Sequence, residues 1–150
     1  MQTAPSAPSA YWDTSALAKV YLQEKGSATV RAWAGRFSCT SSGLLTVELR
    51  SLLSRRRAAG DLSEREWISA RERVARDRAG WALIPVAELV LERAGGLADS
   101  QRVRALDAIH LATAALLQER LGVPVPFLTA DRRQAEAAAA LGLEVRLVPA

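Results

Sequence analysis

The sequence predicts an α/β domain of three layers, α/β/α, with helices on both faces of a central, mostly parallel sheet. Three observations lead there. Runs of strand length (AYW, RFSCTS, WALIPV, VPVPFLTA and LEVRLVP) alternate with segments of helical period along the chain. No repeat or long linker interrupts this order, and parallel strands joined through helices need right-handed crossovers with cover on both faces. The 150 residues suit one domain, and a chain of that size buries roughly 68 to 70% of its unfolded surface, enough for one core without staples.

The elements follow in order. The first ten residues, MQTAPSAPSA, read as a disordered leader, with the folded domain expected over 11–150. AYW is a strand that runs straight into Asp13, and SALAKVYLQ places Ala16, Leu17, Val20 and Tyr21 on one side of a helix. Gly26 separates it from a second short helix, SATVRAWAG, and RFSCTS is the second strand. LLTVELRSLLSRRRAA is an amphipathic helix closed by Gly60. Ser63 with Glu66 three positions later is a capping-box signature ahead of the helix EWISARERVARDRA. WALIPV is the third strand, AELVLERAGGLA a helix, and LDAIHLATAALL the next helix. VPVPFLTA, DRRQAEAAAALG and LEVRLVP complete the chain as strand, helix and strand.

Composition narrows the classes. The formal net charge is +4, the sequence pI is near 10.0, and only Lys19 and Lys25 among the 20 basic residues are lysines. Guanidinium binds phosphate bidentately, so this balance is compatible with a phosphate-bearing partner, and heavy use of Ala and Arg equally fits codon bias. Cys39 stands alone, which excludes an internal disulfide and leaves a packed thiol. The start lacks a signal-peptide pattern, and no stretch supplies the roughly 18 apolar residues of a membrane span, so a soluble cytoplasmic protein with no membrane partner is expected. The aromatic residues are too scattered for a base-stacking platform.

Four acids stand out by position. In open α/β sheets, ligands bind beyond the carboxyl ends of the strands. Asp13 follows the first strand and Asp131 the fourth; each is equally a candidate helix N-cap. Glu48 shares a helical stripe with Leu44, Leu45 and Leu52, and Asp107 shares one with Val103, Leu111 and His110. A buried carboxylate is costly unless paired or metal-bound, and Arg104 is the alternative partner of Asp107. Converging on one crevice, the four would repel one another until a divalent cation entered. Oxygen ligands without a His/Cys cluster favour Mg²⁺ or Mn²⁺ over zinc, and the matching chemistry is attack of activated water on a phosphodiester. No Gly-rich phosphate loop or Ser-His-Asp set competes. An aspartyl-phosphate enzyme fits poorly, because Asp13 has no second Asp two residues later.

YWDTSALAKVYLQEKGS, TVELRSLLSRR, RALDAIHLATAALL and FLTADRRQAEAAAALGLEV resemble, in order, the successive motifs of PIN-domain ribonucleases, above all the VapC-type toxins of bacterial toxin–antitoxin pairs. The resemblance covers the chain from Tyr11 onward. It implies that Asp13, Glu48, Asp107 and Asp131 are the metal-binding and catalytic acids, with Ser15 and Thr129 as supporting hydroxyls. It further implies cleavage of RNA with Mg²⁺ or Mn²⁺, a homodimer, and a cognate VapB-type antitoxin held with it in a hetero-oligomer. His110 is assigned a structural or supporting role and not that of general base. Arg55, Arg56 and Arg57 suit either the dipole at their helix end or an RNA backbone, while Arg71, Arg73, Arg76 and Arg78 read as a salt-bridged or partner-facing surface. The alternatives are a PIN-fold nuclease of RNA maturation or DNA without an antitoxin, and a non-catalytic RNA- or protein-binding module whose acids pair with arginines.

Overall fold

The structure is a computed structural model and describes residues 6–150. Five strands form one sheet: β1 (Ser9–Trp12), β2 (Ser38–Ser42), β3 (Ala82–Ile84), β4 (Phe127–Thr129) and β5 (Val145–Leu147). All pairings are parallel and the order is β3-β2-β1-β4-β5. Seven α-helices connect them: α1 (Thr14–Tyr21), α2 (Ser27–Ala34), α3 (Leu45–Ala58), α4 (Glu64–Asp77), α5 (Glu88–Gln101), α6 (Ala105–Leu121) and α7 (Arg132–Ala140). A single 3₁₀ turn, Arg78–Gly80, leads from α4 into β3.

Alternation along the central strands separates two cores. Ala10 and Trp12 of β1, with Leu128 of β4, pack against Leu17, Leu45, Leu49, Leu53 and Val74 from α1, α3 and α4. Tyr11 and Phe127, which point the other way, pack against Val90, Leu111 and Ala138 from α5, α6 and α7. This is the period-two alternation of strand side chains, and it makes the three layers. Burial pushes the Cys39 thiol of β2 up to about 12, in keeping with an inert packed residue.

Differences from the sequence reading lie at element ends. β1 begins at Ser9, because its edge pairs with β2 from Ser9↔Ser38 onward. The boundary expected after residue 10 therefore falls too late, and the remainder of the expected leader, residues 1–5, lies outside the described residues. α1 stops at Tyr21, where Leu22 turns extended. β3 and β4 are shorter than their apolar runs, since Pro85 follows the one and Pro124 and Pro126 precede the other, and proline has no N–H for a ladder. The capping box of Ser63 and Glu66 is formed as expected, with Ser63 Oγ accepting from the Glu66 N–H at 3.2 Å and Glu66 Oε2 accepting from the Ser63 N–H at 2.8 Å.

Candidate active site

The strand order places β1 and β4 side by side, with Trp12 opposite Leu128. The Asp13 N–H donates to the Leu128 carbonyl at 2.9 Å, so the residues that leave these two strands emerge together at the sheet's carboxyl edge. Connections run from β1 to one side and from β4 to the other, which opens a crevice at that point. Four helices point their N-termini into it. Asp13 precedes α1, Glu48 lies in the first turn of α3, Asp107 in the first turn of α6, and Asp131 precedes α7. Partial positive charge at helix N-termini favours anions there. All four acids line one groove of about 420 Å³, together with Thr14, Ser15, Val47, Arg55 and Leu106.

Asp13 is buried, with 5% of its surface exposed. It occupies the N-cap position of α1, yet its side chain makes no capping hydrogen bond. Oδ2 instead accepts from the hydroxyls of Ser15 and, at 2.8 Å, Thr129. These two hydroxyls lie 3.1 Å apart and are themselves held by the Ala130 and Asp131 backbone N–H groups, each at 3.0 Å. Ser15 and Thr129 thus both meet the Asp13 carboxylate. Asp131 does act as a cap: its Oδ1 accepts from the N–H of Arg133 at 2.8 Å and of Gln134 at 3.2 Å.

Glu48 is anchored by side chains of α1 and α6. Its Oε1 accepts from the Thr14 hydroxyl at 3.0 Å and lies 2.6 Å from His110 Nε2. An ionised carboxylate only accepts, so Nε2 carries the proton in that bond. Nε2 is also 3.2 Å from Thr14 Oγ1, and Nδ1 is 2.8 Å from the Tyr11 hydroxyl. The imidazole is 1% exposed and has both nitrogens engaged, so it cannot double as a metal ligand or a free base. Burial alone would lower its pKa, but the hydrogen bond to Glu48 and the charges of Asp13, Glu48 and Asp107 raise it above its ordinary 6.5. Burial also pushes the Tyr11 phenol far up, and its ring stacks on Phe127 at 5.4 Å between centroids. Thr14 and Tyr11 were not singled out in the sequence. Their one signal was lying within two residues of Asp13, and pairing with a histidine 96 and 99 residues away leaves no local trace.

Asp107 is held through its backbone, where its carbonyl accepts from Gln134 Nε2 at 3.2 Å. Among the described residues no ion pair joins it to Arg104, so that alternative is not realised. Its carboxyl titrates above the ordinary 3.8, first because it is half-buried, then because Asp13 and Asp131 crowd it with like charge. Among the described residues, no group of three or more His, Cys, Asp or Glu side chains is arranged to hold a metal ion by itself. The donor chemistry nevertheless fits a hard divalent cation. The carboxylates share a groove, Asp13 keeps one oxygen clear of protein partners, and Asp107 carries the repulsion that a cation would relieve.

The arginines divide. Arg56 pairs with Glu24 at 2.9 Å, and Arg57 with Glu64 at 2.6 Å while lying 4.0 Å over the Trp67 ring. Only Arg55 of that trio lines the groove. Arg71 also covers Trp67, Arg73 bonds the Tyr21 carbonyl, Arg76 pairs with Asp77, and Arg78 bonds Thr46, which makes the α4 set the knitted surface its alternating charges imply.

The geometry has counterparts. The PIN domain model matches residues 10–140. Ribonuclease VapC46 of Mycobacterium tuberculosis is 39% identical over 138 residues, covering 90% of this chain and 94% of that protein. Ribonuclease VapC45 of the same species is 38% identical over 71% of this chain and 75% of that protein. Among solved structures, VapC20 of M. tuberculosis, a sarcin–ricin-loop-cleaving toxin, superposes with a TM-score of 0.65 at 22% identity over 92% of this chain and 99% of that one. A toxin–antitoxin complex from Klebsiella pneumoniae gives 0.54 at 17% identity over 82% of this chain and 87% of that one. A sheet edge that gathers four acids from four helix N-termini, and relatives that share its length as well as its sequence, make this chain a member of the PIN-domain family, within its VapC group.

Proposed function

We propose that this protein is a toxin-type endoribonuclease that hydrolyses phosphodiester bonds in RNA, with Asp13, Glu48, Asp107 and Asp131 as its catalytic, metal-holding acids and Mg²⁺ or Mn²⁺ as its cofactor. The observation that carries this reading is Asp13. A carboxylate that follows a strand and precedes a helix would ordinarily cap the helix, and this one is turned away from the cap and fixed by two hydroxyls in a groove shared with three other acids. The ribonuclease names of relatives up to 39% identical, and the toxin–antitoxin complex among the structural neighbours, support the same reading.

Each side chain has a part. Ser15 and Thr129 occupy Asp13 Oδ2 and leave Oδ1 for the ion. Thr14 and His110 fix the Glu48 carboxylate, and Tyr11 fixes His110 in turn. Gln134 holds α6 against α7 at Asp107, so the last two acids keep their separation. When bound, the divalent cation neutralises the acids, lowers the pKa of an attacking water and stabilises charge on the leaving oxygen. A cognate VapB-type antitoxin restrains the enzyme, as a homodimer within a toxin–antitoxin hetero-oligomer, in the cytoplasm; among the described residues no helix is long and apolar enough to cross a membrane.

Induced expression tests the reading in cells. The wild type is expected to arrest growth, Asp13→Ala to abolish the arrest, and co-expression of the adjacent small reading frame to relieve it. Equal toxicity of Asp13→Ala, or harmless expression of both with no cleavage of RNA by the metal-loaded protein, would overturn it. Relief by Asp13→Ala with cleavage of DNA in place of RNA would identify a nuclease of the same fold and another substrate.

A further inference from the structure

Beside the acid groove, and sharing Asp107 and Asp131 with it, lies a second cavity of about 770 Å³ between the α5–α6 junction and the start of α7. Its rim carries Arg102, Arg104, Arg132 and Arg133, all exposed, and among the described residues none of their guanidinium groups has a hydrogen-bond or ion-pair partner. The helices do not account for them. Arg104 is the N-cap of α6, and Arg132 and Arg133 open α7, so three of the four sit at helix N-termini, where the dipole disfavours cations. Arg102 holds a left-handed backbone, φ 54°, and is the only non-glycine residue with positive φ among the described residues. A strained backbone beside like charges at the wrong helix ends destabilises the isolated chain, and guanidinium groups that share the cavity with Asp107, Asp131 and Glu136 yet pair with none of them are left to meet anions.

Resting on the ribonuclease reading, we propose that these four arginines form the substrate's backbone subsite: they hold consecutive phosphates of single-stranded RNA on the α5–α7 side and feed the chain over Asp107 and Asp131 into the acid groove. The position argues for a nucleic-acid backbone. The cavity shares Asp107 and Asp131 with the acid groove, so a strand crossing it toward that groove would meet guanidinium first and carboxylate at the cut. Four acids alone repel a polyanion, so a flanking cationic track supplies the attraction that the groove lacks. Within the acid groove itself the one arginine is Arg55, and of the arginines in the neighbouring cavity that shares Val47 and Ser51, Arg71 lies over Trp67 and Arg78 bonds Thr46.

The test uses full-length protein in EDTA, so that RNA is bound without being cut, and a fluorescently labelled single-stranded RNA of mixed sequence. Arg102→Gln/Arg104→Gln/Arg132→Gln/Arg133→Gln is compared with wild type and with Arg65→Gln/Arg120→Gln, a pair of exposed arginines away from the groove. The fourfold variant is expected to bind at least about tenfold more weakly and to lose up to about 3 from the slope of log K against log salt, at roughly 0.7 per phosphate contact on single strands. Its melting temperature should be unchanged or higher, and the control pair should bind like wild type. An unaltered slope and affinity would overturn the proposal. So would retained RNA binding with lost affinity for an oligoglutamate peptide, which would assign the surface to an acidic protein partner. Metal-dependent cleavage by the wild type is scored separately, so failure of the subsite and failure of the ribonuclease reading give different results.

Discussion

At the scale of single residues, the site is a set of carboxylates whose charge the fold tolerates by different means. Asp13 is held by two hydroxyls, Asp131 by helix N–H groups, and Glu48 by Thr14 and His110, while Asp107 has only crowding. Two shifts follow, and both have the same sign in the metal-free protein. His110 is raised above 6.5, so the stability it contributes is fully present below that value and is lost as pH rises through its folded pKa. Asp107 is raised above 3.8, so the native state again binds the extra proton and stability again falls as pH rises through its folded value. In EDTA the melting temperature is therefore expected to fall as pH rises above 6.5 through the folded pKa of His110, and Glu48→Gln, which puts a neutral amide where the carboxylate raises His110, should flatten the profile. A rise over that interval in the wild type would contradict the assignment. The acids themselves were legible in the sequence, since a carboxylate at a strand end or in a leucine stripe is conspicuous. The role of His110 was legible only in outline, because its partners Tyr11 and Glu48 lie on other elements.

At the scale of elements, local chemistry sets where helices begin and tertiary contact sets where strands end. Alternation of apolar runs and helical stripes was enough to place every strand and helix, and Ser63 and Glu66 marked the start of α4 by side-chain chemistry alone. Strand limits depend on neighbours: β1 extends back to Ser9 only because β2 lies alongside to pair with it. The α1–α2 junction shows the same dependence. Gly26 has φ 88°, and a Cβ there would run into Val148 Cγ1, so both backbone conformation and the packed carboxyl-terminal segment exclude a side chain. Gly26→Ala is expected to destabilise the protein by about 1 to 3 kcal/mol, a fall of roughly 2 to 12 °C in melting temperature, without changing the metal-induced shift of the folded fraction. A neutral effect in chemical denaturation would show that the junction relaxes freely.

At the scale of the whole molecule, the strand order does the work that no single motif does. By setting β1 against β4 it joins residues 13 and 131, and by launching four helices from the same edge it brings residues 48 and 107 to them. The sequence suggested convergence and offered Asp131 as a candidate cap, which it is in part, but it did not show that among the described residues the acids stop short of a closed cage. The groove is therefore expected to be completed by the cation and the substrate together. The central claim is that these acids cut RNA through a divalent ion, and cleavage of a mixed structured-RNA pool by purified protein, in Mg²⁺, Mn²⁺ or EDTA, tests it most directly. Discrete fragments are expected with either metal, none in EDTA, and at least about a 100-fold slower reaction for Asp107→Asn, several kcal/mol of barrier. Equal cleavage by Asp107→Asn, or no cleavage by folded wild type in any metal, would contradict the account.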